Sequence, residues 1–169
     1  MSAASERRIA VIGAGIGGLT LAIALRRHGI AADIYEQAAE LREVGAAVAL
    51  SANGTRFFEQ FGLGPHLASH GFEVSHLIYR DGRSGHLVGR HEVGPAYRQR
   101  FGAPYVGIHR ADLQAGLSAA AGLERIHLGK RLVEIGDTGA RAALRFVRVA
   151  WEPTSRYPPR YPQKDRRRC

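Results

Sequence analysis

One stretch, Ile9 to Glu36, constrains this chain more than any other. The apolar run Ile9-Ala10-Val11-Ile12 passes directly into Gly13-Ala14-Gly15-Ile16-Gly17-Gly18, then into an amphipathic segment, then into a second short strand that ends on an acid. The apolar run has the pattern of a strand buried on both faces. Gly13 lets the chain bend sharply out of it, Gly15 leaves the backbone open to a diphosphate with no Cβ in the way, and Gly18 lets the next helix pack close to the sheet. From Ile16 the apolar positions Ile16, Leu19 and Ile23 recur at helical spacing, with Leu25 alongside. Arg26, Arg27 and His28 fall in the last turn, where cations suit the helix dipole, and Gly29 supplies the stop. The second strand is Ala32-Asp33-Ile34-Tyr35-Glu36. Glu36 lies 18 positions past Gly18, near the spacing of about 20 at which an acid accepts hydrogen bonds from an adenosine ribose. An acid there disfavours a 2′-phosphate. A lone GxGxxG would carry little weight; five features in this order describe a dinucleotide-binding βαβ unit, with the diphosphate at the N-terminus of its helix.

Bulk composition bounds the rest. With 169 residues, 45% of them hydrophobic, the chain is long enough for one domain with a proper core. Its single cysteine, Cys169, is the last residue, so no intrachain disulfide or thiol metal cluster forms and a reducing cytoplasm is the expected location. Arg7-Arg8 ahead of the uncharged run Ile9 to Leu25 imitates a secretory leader, but four glycines break the run and Arg26-Arg27 follow it. No stretch is long and apolar enough to span a bilayer. The net charge of +9 and the pI near 10.6 raise nucleic acid as a partner. That charge is unevenly placed: Arg148 to Cys169 holds seven Lys or Arg against two acids, more than half of the excess.

Two further blocks are informative, Leu41-Arg42-Glu43-Val44-Gly45-Ala46-Ala47-Val48 and His109-Arg110-Ala111-Asp112-Leu113. With the glycine run, and at this separation, they resemble the flavin-dependent aromatic-ring monooxygenases, the group that contains salicylate hydroxylase and para-hydroxybenzoate hydroxylase. The resemblance implies an α/β fold: a partial doubly wound FAD/NAD(P)-binding, Rossmann-like domain with the start of an antiparallel substrate-covering sheet. It implies FAD held through Gly13, Gly15 and Gly18 at the pyrophosphate and Glu36 at the ribose, with Arg42, Val48 and Arg110 as further cofactor contacts. Guanidinium groups suit that task, because their planar fork binds phosphate and ribose oxygens with more geometric specificity than a lysine. His109 is expected to be a satisfied neighbour rather than a catalytic base. NAD(P)H as a transient co-substrate and a small aromatic substrate belong to the complete enzyme of this group. An NAD-dependent dehydrogenase is disfavoured by the two arginine blocks.

The remaining pattern fits that frame. Ser51-Ala52-Asn53-Gly54 opens a helix predicted over Thr55 to Leu63. Val74 to Tyr79 and His86-Leu87-Val88 read as a hairpin around Asp81-Gly82. Tyr105 to Ile108 reads as a strand feeding a helix over Ala111 to Ala121, with Leu113, Leu117 and Ala120 or Ala121 on one face and Gly122 ending it. Ile126-His127-Leu128 is predicted as a further parallel strand. Arg131 to Ile135 and Ala142 to Val147 are predicted as an antiparallel pair joined through Asp137-Thr138-Gly139. The expected organisation is an incomplete FAD-binding domain over 1–147, with an inserted hairpin near 72–108, and a basic Pro/Arg-rich tail over 148–169.

The resemblance stops near Val147. The family chain is more than twice as long and carries distal Asp-Gly and Gly-Asp blocks that this sequence lacks. In the tail, Pro153, Pro158, Pro159 and Pro162 alternate with Arg and Tyr, so no packed element is expected there. A slip of reading frame near Arg148 would produce such a composition; resequencing the coding DNA for a downstream Asp-Gly block tests it. A nucleic-acid tail stacking Trp151, Tyr157 and Tyr161 on bases is the less favoured reading. With central strands missing, the isolated polypeptide is expected to retain FAD weakly or not at all and to aggregate. No HExxH, paired-Cys or G-x-S-x-G motif offers another chemistry, and no catalytic residue or metal ligand is assigned. The alternative to a monooxygenase portion is a non-catalytic nucleotide-binding remnant or interaction module of the same fold.

Overall fold

A computed structural model describes residues 8–41, 46–137, 139 and 141–148. Arg42 and the residues after Arg148 are outside them, so the expected Arg42 contact and the tail are not placed. In chain order the first elements are β1 (Ile9–Ile12), α1 (Ile16–Arg27), β2 (Ala32–Tyr35), β3 (Ala47–Leu50), α2 (Ala52–Gln60) and α3 (Gly64–His70). There follow β4 (Gly71–Glu73), β5 (His76–Arg80), β6 (Leu87–Glu92), α4 (Pro95–Phe101), β7 (Val106–His109) and α5 (Arg110–Ala121). A 3-10 turn at Leu123–Arg125 leads to β8 (Ile126–His127), β9 (Lys130–Asp137) and β10 (Ala142–Arg148).

The βαβ unit forms as its sequence predicts. β1 and β2 are parallel with Val11 opposite Ile34, and β8 joins the far side of β2 in parallel with Ile126 opposite Ile34, giving the order β1-β2-β8. Because side chains alternate along a strand, Val11 and Ile34 share one face while Ile12, Asp33 and Tyr35 share the other. Leu19, Ala22 and Ile23 of α1 bury against the Val11/Ile34 face, and Leu113, Leu117 and Ala121 of α5 extend the same core. A Cβ on Gly18 would overlap the Gly13 carbonyl oxygen and sit 3.3 Å from Val11 Cγ1, so the close helix-to-sheet contact requires glycine there. Gly13 adopts φ +98°, the left-handed bend out of the strand.

A second, antiparallel sheet has the order β3-β7-β4, with Val48 opposite Ile108 and Ala47 opposite His109. It carries β7 directly into α5 and sets the start of β3 beside that helix's first turn, where the Arg110 N–H donates to the Ala46 carbonyl at 3.4 Å. Two hairpins complete the described chain, β5–β6 and β9–β10. Phe146 of β10 stacks on Tyr35 at 4.5 Å, and His127 stacks on the same ring at 4.9 Å, so the second hairpin leans on the outer face of the parallel sheet.

Several boundaries differ from the sequence expectation. The helix predicted at Thr55–Leu63 starts at Ala52, since Ser51 serves as its N-cap position and the Tyr97 hydroxyl accepts the Ala52 N–H at 3.1 Å. The strand predicted at Val74–Tyr79 is divided: β4 pairs with β7, Val74 and Ser75 make the crossing, and only from His76 does the hairpin with β6 begin. Helices α3 and α4 were not anticipated. Both are seven residues long with proline in the first turn, too short for an apolar period to register in the sequence.

Candidate functional site

The site is the glycine bend between β1 and α1. Its position is fixed by backbone bonds, the Gly13 N–H donating to the Tyr35 carbonyl of β2 at 2.8 Å and the Leu19 N–H donating to Gly15 at 3.0 Å. Gly15 is the N-cap residue of α1, at φ −72° and ψ 176°. No side chain caps the helix and no acid occupies its first turn. The first N–H groups of an α-helix have no partner within it and carry roughly half a unit of positive charge, so this terminus suits an anion. A Cβ on Gly15 would meet nothing within 4 Å. The bend is therefore both electropositive and open on its Gly15 side, which is what a diphosphate against main chain requires.

Glu36 faces the same bend. Its Oε2 accepts the Ala14 N–H at 2.8 Å and its Oε1 accepts the Ala38 N–H at 2.8 Å, so the carboxylate that closes β2 is held against the glycine turn by two backbone donors. Each carboxylate oxygen keeps a further lone pair for a ribose hydroxyl. Bend and acid, separated by more than twenty residues in sequence, meet at hydrogen-bond distance.

The other predicted residues fall around this point with differing closeness. Arg110, half-buried, is the first residue of α5. It lies one turn before Gln114 on the same helix face, and Gln114 Nε2 donates to the Ala14 carbonyl at 3.1 Å. Val48 sits in β3 with its side chain packed against the core, opposite Ile108 and two residues from the Arg110-bonded Ala46 carbonyl. His109 is exposed and caps α5, its Nδ1 accepting the Ala111 N–H at 3.3 Å. That bond makes it a capping residue of the helix.

Gln114 was missed by sequence reasoning. It is buried on α5, and four residues on Ser118, also buried, donates from Oγ to the Gln114 carbonyl at 2.8 Å. A signal was available: two polar residues at i and i+4 flank the Leu113/Leu117 stripe, inside a helix whose apolar face should be uninterrupted.

Behind the sheet, buried Asp33 gathers Arg8 at 2.8 Å, Arg125 at 3.5 Å and His127 at 3.6 Å. The Arg8 hydrogen bond is the chief reason its carboxyl is held below the usual aspartate value; burial opposes it, while the charges of Arg8 and Arg125 add to it. This cluster lies on the face of β2 away from α1 and ties the strand ends together. Among the described residues no helix is long and apolar enough to cross a membrane.

Residues 11–80 match the family described as NAD(P)-binding Rossmann-like domain. A 3-hydroxybenzoate 6-hydroxylase of Polaromonas naphthalenivorans is 40% identical over 113 residues, covering 67% of this chain and 28% of the relative. An FAD-dependent urate hydroxylase of Mycolicibacterium vanbaalenii is 36% identical over 137 residues, covering 80% of this chain and 34% of the relative. Among solved structures, Klebsiella pneumoniae HpxO complexed with FAD and uric acid superposes with a TM-score of 0.71 at 30% identity, over 84% of this chain and 36% of that one. The chain thus spans about a third of the length of the relatives it matches.

Proposed function

This chain is homologous to the amino-terminal part of the FAD-dependent aromatic-ring monooxygenases, and from that premise we propose that it is the FAD-binding portion of such an enzyme, its cofactor-binding unit lying within residues 1–147. The observation that carries the reading is the Glu36 carboxylate bound to the Ala14 N–H at 2.8 Å, because it puts a ribose acceptor and a diphosphate cradle side by side. Gly13, Gly15 and Gly18 shape the cradle and Glu36 takes the ribose hydroxyls. Arg110, from the start of α5, approaches the cofactor's anionic side, with Arg42 and Val48 supplying further contacts from the segment leading into β3.

Bound there, FAD supplies the oxygen chemistry, in which NAD(P)H gives two electrons, one atom of O2 enters the aromatic ring and the other leaves as water. This chain's residues do the holding. The capless start of α1 neutralises the diphosphate, Glu36 orients the adenosine, and burial of Ala14 keeps water away from the inner side of the bend. The substrate is a small electron-rich aromatic or heteroaromatic compound, of the class to which hydroxybenzoate and urate belong. A reducing, cytoplasmic setting suits a chain whose sole cysteine is Cys169.

Titration of the full chain with FAD, followed by flavin fluorescence, tests the reading. Because the chain spans about a third of its relatives, weak but saturable binding is expected, along with its loss in Gly15→Val, whose side chain would fill the open approach to the bend. Gly15 already has an extended conformation that valine accepts, so the stability cost is only that of a poorer cap, about 1 kcal/mol. Undiminished FAD affinity in a folded Gly15→Val protein would place the diphosphate elsewhere.

A further inference from the structure

The peptide units on either side of Ala14 are each gripped by a side chain from a different element. Glu36, just after β2, accepts the Ala14 N–H at 2.8 Å; Gln114, on α5 and 100 residues away in sequence, donates to the Ala14 carbonyl at 3.1 Å. Ala14 itself is fully buried and Gln114 nearly so. In a trans peptide the C=O and the following N–H point in opposite directions, and the described chain contains no cis bond. Two orientations follow. Holding the Ala14 N–H toward Glu36 turns the Gly13 carbonyl the other way, where it rests over Gly18. Holding the Ala14 carbonyl toward Gln114 turns the Gly15 N–H away from α5.

We propose that Gln114 is a positioning residue for the diphosphate: by fixing the Ala14 carbonyl it sets the direction in which the Gly15 amide is presented to the ligand. The proposal rests on the reading of the bend as the cofactor cradle, and it assigns that cradle a support from α5 that no glycine motif contains. A backbone donor stabilises an anion only along its N–H axis, and hydrogen bonds weaken steeply with misalignment. Gly15, lacking a Cβ, is free to rotate its amide in the absence of an external restraint. The Gln114 amide supplies that restraint from a rigid helix rather than from the bend itself. The same helix begins with Arg110 one turn earlier, so the support for the bend's donor comes from the first two turns of α5.

Replacement of Gln114 by leucine keeps the bulk and removes the donor. Ser118→Ala is the control, since it deletes a neighbouring buried hydrogen bond on the same helix without touching Ala14. The probes are ADP, which carries the diphosphate, and adenosine, which does not, each titrated to millimolar concentration against the full wild-type chain and both variants. Q114L is expected to weaken ADP about tenfold, the loss associated with misdirecting one charge-assisted hydrogen bond, and to leave adenosine affinity within about twofold. S118A is expected to change neither. Equal weakening of ADP and adenosine in Q114L would assign Gln114 to general packing, and unchanged ADP affinity would remove it from the site; either overturns the proposal. A folded wild-type chain that binds neither probe overturns the cofactor reading itself, an outcome distinct from a binding wild type with an unaffected Q114L. Deuterium uptake over residues 12–18 supplies the second readout. Faster exchange in Q114L but not in S118A supports the clamp, and equal exchange in all three proteins contradicts it.

Discussion

The short, largely apolar strands around the bend and the longer, more charged strands of the two hairpins end in opposite states of burial. Around the bend, Leu19, Ile34, Ile108, Leu113 and Leu117 are no more than 1% exposed. In the hairpins, Ile78, Leu87, Val88 and Ile135 are 55%, 58%, 72% and 64% exposed. Both regions form hydrogen-bonded ladders, since β5 pairs with β6 and β9 with β10. Asp81 at the first turn accepts the Arg83 and Ser84 N–H groups at 3.1 and 2.7 Å. Strand pairing is thus a local matter, whereas burial requires a second layer. The βαβ unit brings its own layer, because the crossover helix α1 must lie over the strands it connects and α5 packs beside it. A hairpin has no crossover and stays bare unless another part of the protein covers it.

The sharpest way to break that comparison is at Gly18. Gly18→Val would drive a side chain into the Gly13 carbonyl and separate α1 from the sheet; a destabilisation above about 4 kcal/mol is expected, seen as loss of the cooperative thermal transition. Next in size is Leu117→Ala, which empties a fully buried site and should cost about 2–5 kcal/mol by urea denaturation. Ile135→Ala, the same kind of truncation in a hairpin, should cost less than about 0.5 kcal/mol. Equal costs at the two positions would mean that the hairpin is buried in solution.

Asp33 gives the electrostatic version of the test, because it stabilises the covered sheet from its outer face. Its folded-state pKa is depressed, so its contribution is fully present above the unfolded aspartate value and is lost as pH falls through the lower folded value. Asp33→Asn should therefore lower stability by about 1 kcal/mol at pH 7, and the gap between variant and wild type should close as pH drops below about 4. A gap that persists at lower pH would show that the loss is one of packing rather than charge. The smallest effect is expected at Val88→Lys: a change in stability within about 0.5 kcal/mol, together with reduced aggregation by light scattering. A marked loss of stability there would reveal that β6 is covered after all.

Legibility in the sequence followed the same division. The βαβ unit was readable almost to the residue, since strand, glycines, helix and acid are contiguous and each is dictated by local chemistry. The parallel placement of Ile126-His127 was also anticipated. Helices α3 and α4, by contrast, are seven-residue helices whose existence depends on what they pack against, and the division of the strand near Val74 arises because β4 finds β7 as its partner. Arg42 lies outside the described residues, and its expected contact stays a proposal alongside those of Val48 and Arg110.

By itself the sequence determined the bend: Gly13, Gly15 and Gly18 permit a turn, an approach and a helix contact that side chains would forbid, and those permissions are properties of single residues. What only the tertiary structure decided is which way the bend's peptide groups point. That orientation comes from Glu36 and Gln114, one just past β2 and the other on α5. Contacts between residues so far apart in sequence exist only once the sheet and its two helices have been assembled, for a hydrogen bond needs both partners in place and aligned.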